Sequence, residues 1–298
     1  MSVKNLIIST FSQVFNKYFY DNLVIGQLAH TELKDGVNKG DEVDIIMPGV
    51  VTLNDYDGGD IGDAEKVDNS VVKVKFDKGH YVHFRVDAVV EKQIENAPDL
   101  KQKVAIAKEY SDDAVKQYAS ALDKKYGSLY TRAGHIVDNA GSPITLTASN
   151  AKQVFALMAT KFQRGDNKGH NAWIPNKMLA VIPPEYEFVL GQLDDLKYTE
   201  SGQKKVVNGF IGRLCGWDIV VSNNIASTTS GGTTTYYPLF GVKGKTLAGG
   251  ASKNLSLQSY VPDKSFDTCY KGWGYMGAGA PRADLFGCAK VNIATTIS

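Results

Sequence analysis

At 298 residues the chain is long enough to bury most of a globular core without disulfide or metal staples. Lys plus Arg number 33 against 32 for Asp plus Glu, which removes both the global basic charge of a nucleic-acid binder and the acidic excess of a disordered tail. Three widely spaced cysteines, Cys215, Cys269 and Cys288, lack C-x-x-C spacing and read as reduced thiols, and no run of 18 apolar residues occurs, so a soluble, unexported protein is expected.

Residues 1–38 carry Phe11, Val14, Phe15, Phe19, Leu23 and Leu28 at helix-like spacing, broken by Gly26. Such aromatic density predicts an arm that covers something, either its own chain or a neighbour. A turn at Gly40-Asp41 then leads into a short strand that Pro48 ends. Residues 49–69 hold four glycines and many acids between two β-like runs, which predicts a long, polar, extended hairpin loop over 48–74. Ser70 to Phe76 and Tyr81 to Val86 alternate as strands around an Asp77-Lys78-Gly79 turn. The loop contains a false calcium motif: Asp55-Tyr56-Asp57 begins one, but Gly59, Asp60 and Lys66 stand where a ligand, the glycine and the closing glutamate belong.

Ala97 to Arg132 is the organising stretch. Leu100, Val104, Ala107, Tyr110, Ser111, Ala114, Val115, Tyr118, Ala121, Leu122 and Tyr126 fall within less than half the circumference of a helical wheel. Asn96 is the expected cap, Pro98 and Asp99 suit a first turn, and Gly127 is the expected stop. The resulting helix spans roughly 40 Å, more than twice the length of an average helix of about 11 to 12 residues. Ala, Ser and Tyr in the stripe argue against a coiled-coil zipper. The opposite face, with Lys101, Lys108, Asp112 and Lys116, is left open to solvent, a neighbour or DNA.

Beyond the spine, Gly134 to Ser149 is turn-rich, and a second helix runs from Ser149 to Arg164 with Gly165 as its stop. Met178 to Ile182 reads as a buried strand, and Pro183-Pro184-Glu185 opens a short helix through Leu190. Val206 to Ile225 is β-like, with Gly209, Gly212 and Gly216 at turns or bulges and Trp217, Ile219 and Val221 alternating toward one face. Ser227 to Thr235 reads as a mobile loop. Short apolar runs rich in Gly and Tyr continue to Ile297.

Catalytic motifs are missing. Gly244-Lys245-Thr246 imitates a phosphate loop, but Leu239 occupies the required first glycine position. His80 and His83 face opposite sides of a strand with no cysteine to complete a zinc set. There is no G-x-S-x-G or H-E-x-x-H, and no catalytic, cofactor or metal residue is assigned.

The order of these elements resembles the major capsid proteins of tailed bacteriophages, a fold shared with the floor of herpesvirus capsids. The residues that carry the resemblance are the arm, Gly40-Asp41-Glu42-Val43, the loop, the spine with its late Leu122-Asp123, and Leu179 to Pro184. Asn208-Gly209-Phe210-Ile211-Gly212-Arg213 and Gly216-Trp217 through Ser222-Asn223-Asn224 complete it. The implied fold class is α+β, with an N-terminal arm (1–40), an extended loop (48–74), a peripheral domain with the spine helix (41–47, 75–134 and 263–298) and an axial domain (135–262). The implied function is a non-enzymatic structural protein forming pentamers and hexamers that close an icosahedral-type shell around double-stranded DNA. Implied partners are further copies of the chain, a separate scaffolding protein, a portal, decoration or cement proteins, and the packaged duplex through weak, non-specific contact, with no membrane. The implied location is the virion capsid, assembled in the host cytoplasm. Expected assembly contacts are Phe11, Phe15 and Phe19 in the arm and Asp55, Asp57, Asp60, Asp63, Glu65 and Lys66 in the loop; cross-linking through Lys66 is not expected. Three other classes compete: a β-rich decoration or adhesion module, a cellular nanocompartment shell of the same fold, and a hydrolase without a recognised motif.

Overall fold

The computed structural model describes residues 8, 19, 21–30, 42–47, 58, 63, 64, 66, 70–96, 100–165, 172–191, 210–251 and 257–293. The expected contacts Phe11, Phe15, Asp55, Asp57, Asp60 and Glu65 lie outside the described residues, as do Pro98 and Asp99.

In chain order the elements are a 3-10 turn Ile25–Leu28, then β1 (Ala29–His30), β2 (Glu42–Met47), β3 (Ser70–Lys75), β4 (Lys78–Val86), α1 (Ala88–Asn96) and the spine helix α2 (Leu100–Gly127), continued by a 3-10 turn Ser128–Arg132. There follow β5 (His135–Val137), β6 (Ile144–Leu146), α3 (Ala151–Arg164), β7 (Met178–Ile182) and α4 (Pro184–Leu190). There follow β8 (Phe210–Leu214), β9 (Trp217–Val221), β10 (Ser227–Ser230), β11 (Thr233–Tyr236), β12 (Leu239–Val242), β13 (Leu247–Ala251), β14 (Gln258–Tyr260), β15 (Thr268–Gly279), a 3-10 turn Ala283–Leu285, β16 (Phe286–Ala289) and β17 (Val291–Ile293).

A six-stranded sheet, β5-β16-β12-β7-β9-β8, divides the core. Its strands β16, β12 and β7 are buried along their whole length and read as near-continuous apolar runs because both faces are covered. On β7, Leu179 and Val181 join the cluster beneath the spine helix, whereas Met178, Ala180 and Ile182 join the cluster beneath α3 and α4. Strand β9 splits the same way: Trp217 and Ile219 are buried on the α3 side with Val221 packed against them, and Val220 is on the spine side. Trp217 stands edge-on to Phe162, Trp173 and Phe240 at 5.1–5.4 Å, the offset geometry that aromatic quadrupoles favour. A four-stranded sheet, β10-β11-β17-β6, extends one end of the body. In the third sheet β15 lies between β4 on one side and β13 and β14 on the other, with β1 beyond β13. Thus β13 and β14 join a sheet with β15, and β16 and β17 join sheets with β5 and β6, so the pairing interleaves stretches that the sequence reading kept apart.

Several expectations need correction. Strands β3 and β4 do not form a hairpin: β3 pairs with β2 from Glu42↔Lys75 to Met47↔Ser70, and β4 pairs with β15 over nine residues. Pairing follows burial; Val74 and Phe76 press on Gly279 and Gly277, so the link at Asp77 carries the chain from one sheet to the next. Asn96 does not cap the spine; it ends α1, a helix whose own start is capped by Asp87 and Asp267 accepting from Val89 and Ala88 N–H at 2.8 and 3.0 Å. Gly127 ends the α-helix but not through a left-handed cap. Its φ is −57°, and a Cβ there would strike the Asn224 carbonyl, so close approach is what requires glycine. Ser227 to Thr235 is an ordered hairpin, not a mobile loop: Gly231 and Gly232 both take positive φ, and Thr229 and Thr234 hydroxyls meet at 3.1 Å across the strands. The composition masked a strand pair because threonine is at once polar and β-branched.

Candidate assembly surfaces

A buried carboxylate is one of the contacts that tie the arm to the body, beside the pairing of β1 with β13. Asp123, 1% exposed, accepts from the Val24 N–H at 2.8 Å and the Gly26 N–H at 3.0 Å, which holds the turn before β1 against the spine helix. Asn224 also donates to it, and the Ser120 hydroxyl donates to Asn224 Oδ1 at 3.0 Å, so arm, spine and the segment after β9 meet there. Burial pushes the Asp123 carboxyl above its ordinary range even though these hydrogen bonds pull it down. Sequence reasoning placed Leu122-Asp123 in the family pattern but gave the aspartate no task; an acid beside a buried stripe was the available signal.

Phe19 is fully buried and packs on Tyr118 at 5.7 Å, so this aromatic is spent on the chain's own core. Asp63 and Lys66 are exposed in the loop, beyond the β2–β3 pair that forms its base. In the spine, Ala114, Val115, Tyr118, Leu122 and Tyr126 are buried as the stripe predicts, Ala121 is half-buried, and Ala119 is buried although it fell outside the stripe. The spine is fixed to the third sheet by Lys125, whose ammonium donates to the Met276 carbonyl at 2.7 Å and pairs with Asp77 at 3.1 Å.

Strand β4 presents two different sides. His80, Val82, Phe84 and Val86 turn toward the spine, while Tyr81, His83 and Arg85 face out. Tyr81 is 79% exposed and Trp273, its partner across the pair, 54% exposed. His83 stacks on Tyr260, with Lys271 over the same ring at 5.1 Å. Such an exposed aromatic sheet face is the kind of surface that subunit contacts cover. Leu157 on α3 and Phe188 on α4 are also exposed, 52% and 62%, which the sequence did not reveal.

Between β4 and the spine run two adjoining cavities of about 700 and 740 Å³ that share Gln117. One is bordered by His80, Lys116, Lys124 and Lys125, the other by Val82, Phe84, Glu109 and Asp113. Their linings offer no convergent catalytic set. Among the described residues no group of three or more His, Cys, Asp or Glu could hold a metal ion, and no helix is long and apolar enough to cross a membrane. The residues that imitate a phosphate loop are occupied internally: Thr246 is fully buried, and its hydroxyl accepts from Val242 N–H and lies within hydrogen-bond reach of the Leu285 carbonyl. All three cysteines are free, and burial pushes the Cys288 thiol up to about 12.

No family model matches this sequence, and no curated protein matches it. Solved structures do. A structure from Mycobacterium phage Che8 superposes with a TM-score of 0.60 at 20% identity, covering 90% of both chains. The capsid structure of cyanophage P-SCSP1u gives 0.62 at 13% identity over 92% of this chain and 89% of that one. The capsid of Ralstonia phage GP4 gives 0.61 at 13% identity over 91% and 87%. The fold is that of a phage major capsid protein. The α+β class expected from the sequence is the one observed, and the likeness covers about nine-tenths of the chain.

Proposed function

We propose that this chain is a major capsid protein, a structural subunit that assembles with copies of itself into the shell of a virion. The observation that carries the reading is a capsid fold over about nine-tenths of the chain, joined to surfaces that a lone subunit leaves uncovered. A closed shell needs heterologous contacts that repeat around five- and six-fold axes, and extended segments that reach from one rigid body to the next. The loop beyond β2 and β3 is the outward-reaching segment and lies over an adjacent subunit; the body built on the spine is the rigid tile. The peripheral part follows the spine and the third sheet, and the axial part carries the six-stranded sheet. The role is structural and non-enzymatic. On this reading the further partners are a scaffolding protein, a portal, decoration proteins and the packaged duplex, whose contact is non-specific and weak given the balanced charge. Assembly takes place in the host cytoplasm. The decoration-module reading loses its support, because it left the long helix without a role.

Deleting Asn54 to Glu65 tests the reading. The expected product is a folded chain with the parent's circular dichroism spectrum that sediments as a single subunit. Particles of normal size from the deleted chain would overturn the assignment.

A further inference from the structure

The antiparallel pair β4–β15 uses its two faces differently. One is spent on the fold: Val82, Phe84 and Met276 join the cluster beneath the spine, and Phe84 stacks on Tyr270 at 5.2 Å. The other is covered at one end, where Val74 and Phe76 lie against Gly279 and Gly277. Beyond that end Tyr275, Trp273 and Lys271 follow at alternate positions of β15, opposite Gly79, Tyr81 and His83 of β4. Trp273 and Tyr81 are directly opposed, and both are more than half exposed. Trp273 and Tyr275 stand 5.2 Å apart, and a Cβ on Gly79 would come within 3.1 Å of the Tyr275 ring, so glycine there leaves the ring its room. His83, Tyr260 and Lys271 close the far end of the platform.

We infer that the face of Tyr81, Trp273 and Tyr275 binds single-stranded RNA, stacking bases on its rings with Lys271 at the phosphates. Along β15 the chain reads Lys271-Gly272-Trp273-Gly274-Tyr275-Met276. This is the strand pattern with which sheet-based RNA-recognition modules stack bases: a cation first, aromatic rings third and fifth, an apolar residue sixth, and a further ring from a second strand, here Tyr81. The eighth position, aromatic in those modules, is Ala278 here, and the likeness is to the strand and not to the fold. Charge agrees with the pattern. The face carries Lys271, His83 and Arg85, while the carboxylates at its Arg85 end are engaged: Asp87 and Asp267 accept from N–H groups of α1, and Asp267 pairs with Arg85 at 3.3 Å. A duplex keeps its bases stacked on one another, so the rings suit a single strand and not the packaged duplex. The rim adds groups suited to a 2′-hydroxyl, the Tyr260 hydroxyl and a His83 ring nitrogen 2.9 Å apart, which points to RNA over DNA. Binding of this kind goes beyond the capsid reading and belongs to the subunit before assembly, when no neighbour covers the face.

Fluorescence anisotropy tests this, with a short labelled oligouridylate titrated by full-length protein from the single-subunit fraction of a sedimentation gradient. The expected result is saturable binding that Trp273→Ala weakens about tenfold or more and Trp273→Phe by about threefold or less, since any aromatic ring can stack. Lys271→Gln should flatten the slope of log affinity against log salt by about 0.7, the loss of one phosphate contact on a single strand. The oligodeoxyuridylate of equal length should bind more weakly, and a duplex about tenfold more weakly or worse. Absence of binding by the parent chain overturns the proposal, and so does an affinity that Trp273→Ala and Tyr81→Ala both leave unchanged. If those variants lose particle yield while RNA affinity stays, the face is a contact between copies of this chain and nothing more, which also overturns it. Equal affinity for the deoxy strand overturns RNA as the occupant. None of these results touches the capsid reading, which is judged by whether particles form.

Discussion

Strands β7 and β4, five and nine residues long and both free of proline, are buried in opposite ways. All five residues of β7 are buried, with neighbours β12 and β9 on its two sides. Strand β4 alternates inward and outward along its length, exposes Tyr81, and borders its sheet among the described residues. A strand paired on both sides and packed on both faces can only stabilise; one with a free face and a border can also bind. The body around β7 is therefore built to stay fixed, and on the proposed function the exposed face of β4 is the part left to meet other subunits.

Four substitutions break or sharpen that contrast. Leu122→Asp puts a charge into the fully buried spine-side cluster, which should cost about 4 kcal/mol or more and abolish a cooperative thermal transition. An unchanged melting temperature would show that the spine does not face the body. Gly127→Ala drives a methyl into the Asn224 carbonyl, and backbone must move; a loss of about 1–3 kcal/mol by urea unfolding is expected, against a gain if glycine served only as a flexible stop. Asp123→Asn keeps one acceptor but turns an amide toward a backbone N–H, at a cost of about 1–3 kcal/mol. Its pH dependence has a definite sign. Because burial raises the folded-state pKa above the ordinary 3.8, the aspartate's contribution is full below that pH and fades as pH rises through the folded value. The stability gap between parent and Asp123→Asn should therefore narrow from about pH 3.8 upward; a widening gap would contradict the assignment. Tyr81→Ser, at an exposed site, should change stability by less than about 0.5 kcal/mol while lowering particle yield. Normal yield would remove the exposed face of β4 from the contact surface.

How far the sequence revealed these regions follows the same division. The spine, α3, β7 and α4 were legible because their apolar periods are strong and local, with Gly165 and Pro184 marking ends that the structure keeps. Strand β9 was legible through its Trp217 alternation. Pairing was not: β3 and β4 are adjacent in sequence and read as a hairpin, yet β4's partner β15 lies about 190 residues on, and nothing local encodes a partner that distant. Strands β12 to β17 went undivided because glycine-rich runs such as Gly272 and Gly274 in β15 carry weak strand propensity, which packing against a neighbouring element overrides. The Asp123 clamp was invisible for a related reason, since its donors, Val24 and Gly26, sit nearly 100 residues away. The acidic loop was marked by its composition, but nothing in the sequence pointed to the two cavities between β4 and the spine, whose walls come together only in three dimensions.

The central claim is that copies of this chain close into a shell, and electron cryo-microscopy of the expressed full-length protein tests it most directly. Closed particles built of five- and six-fold rings, with the spine helices resolved in each subunit, are the predicted result. A field of dispersed single subunits, or filaments that never close, would contradict it.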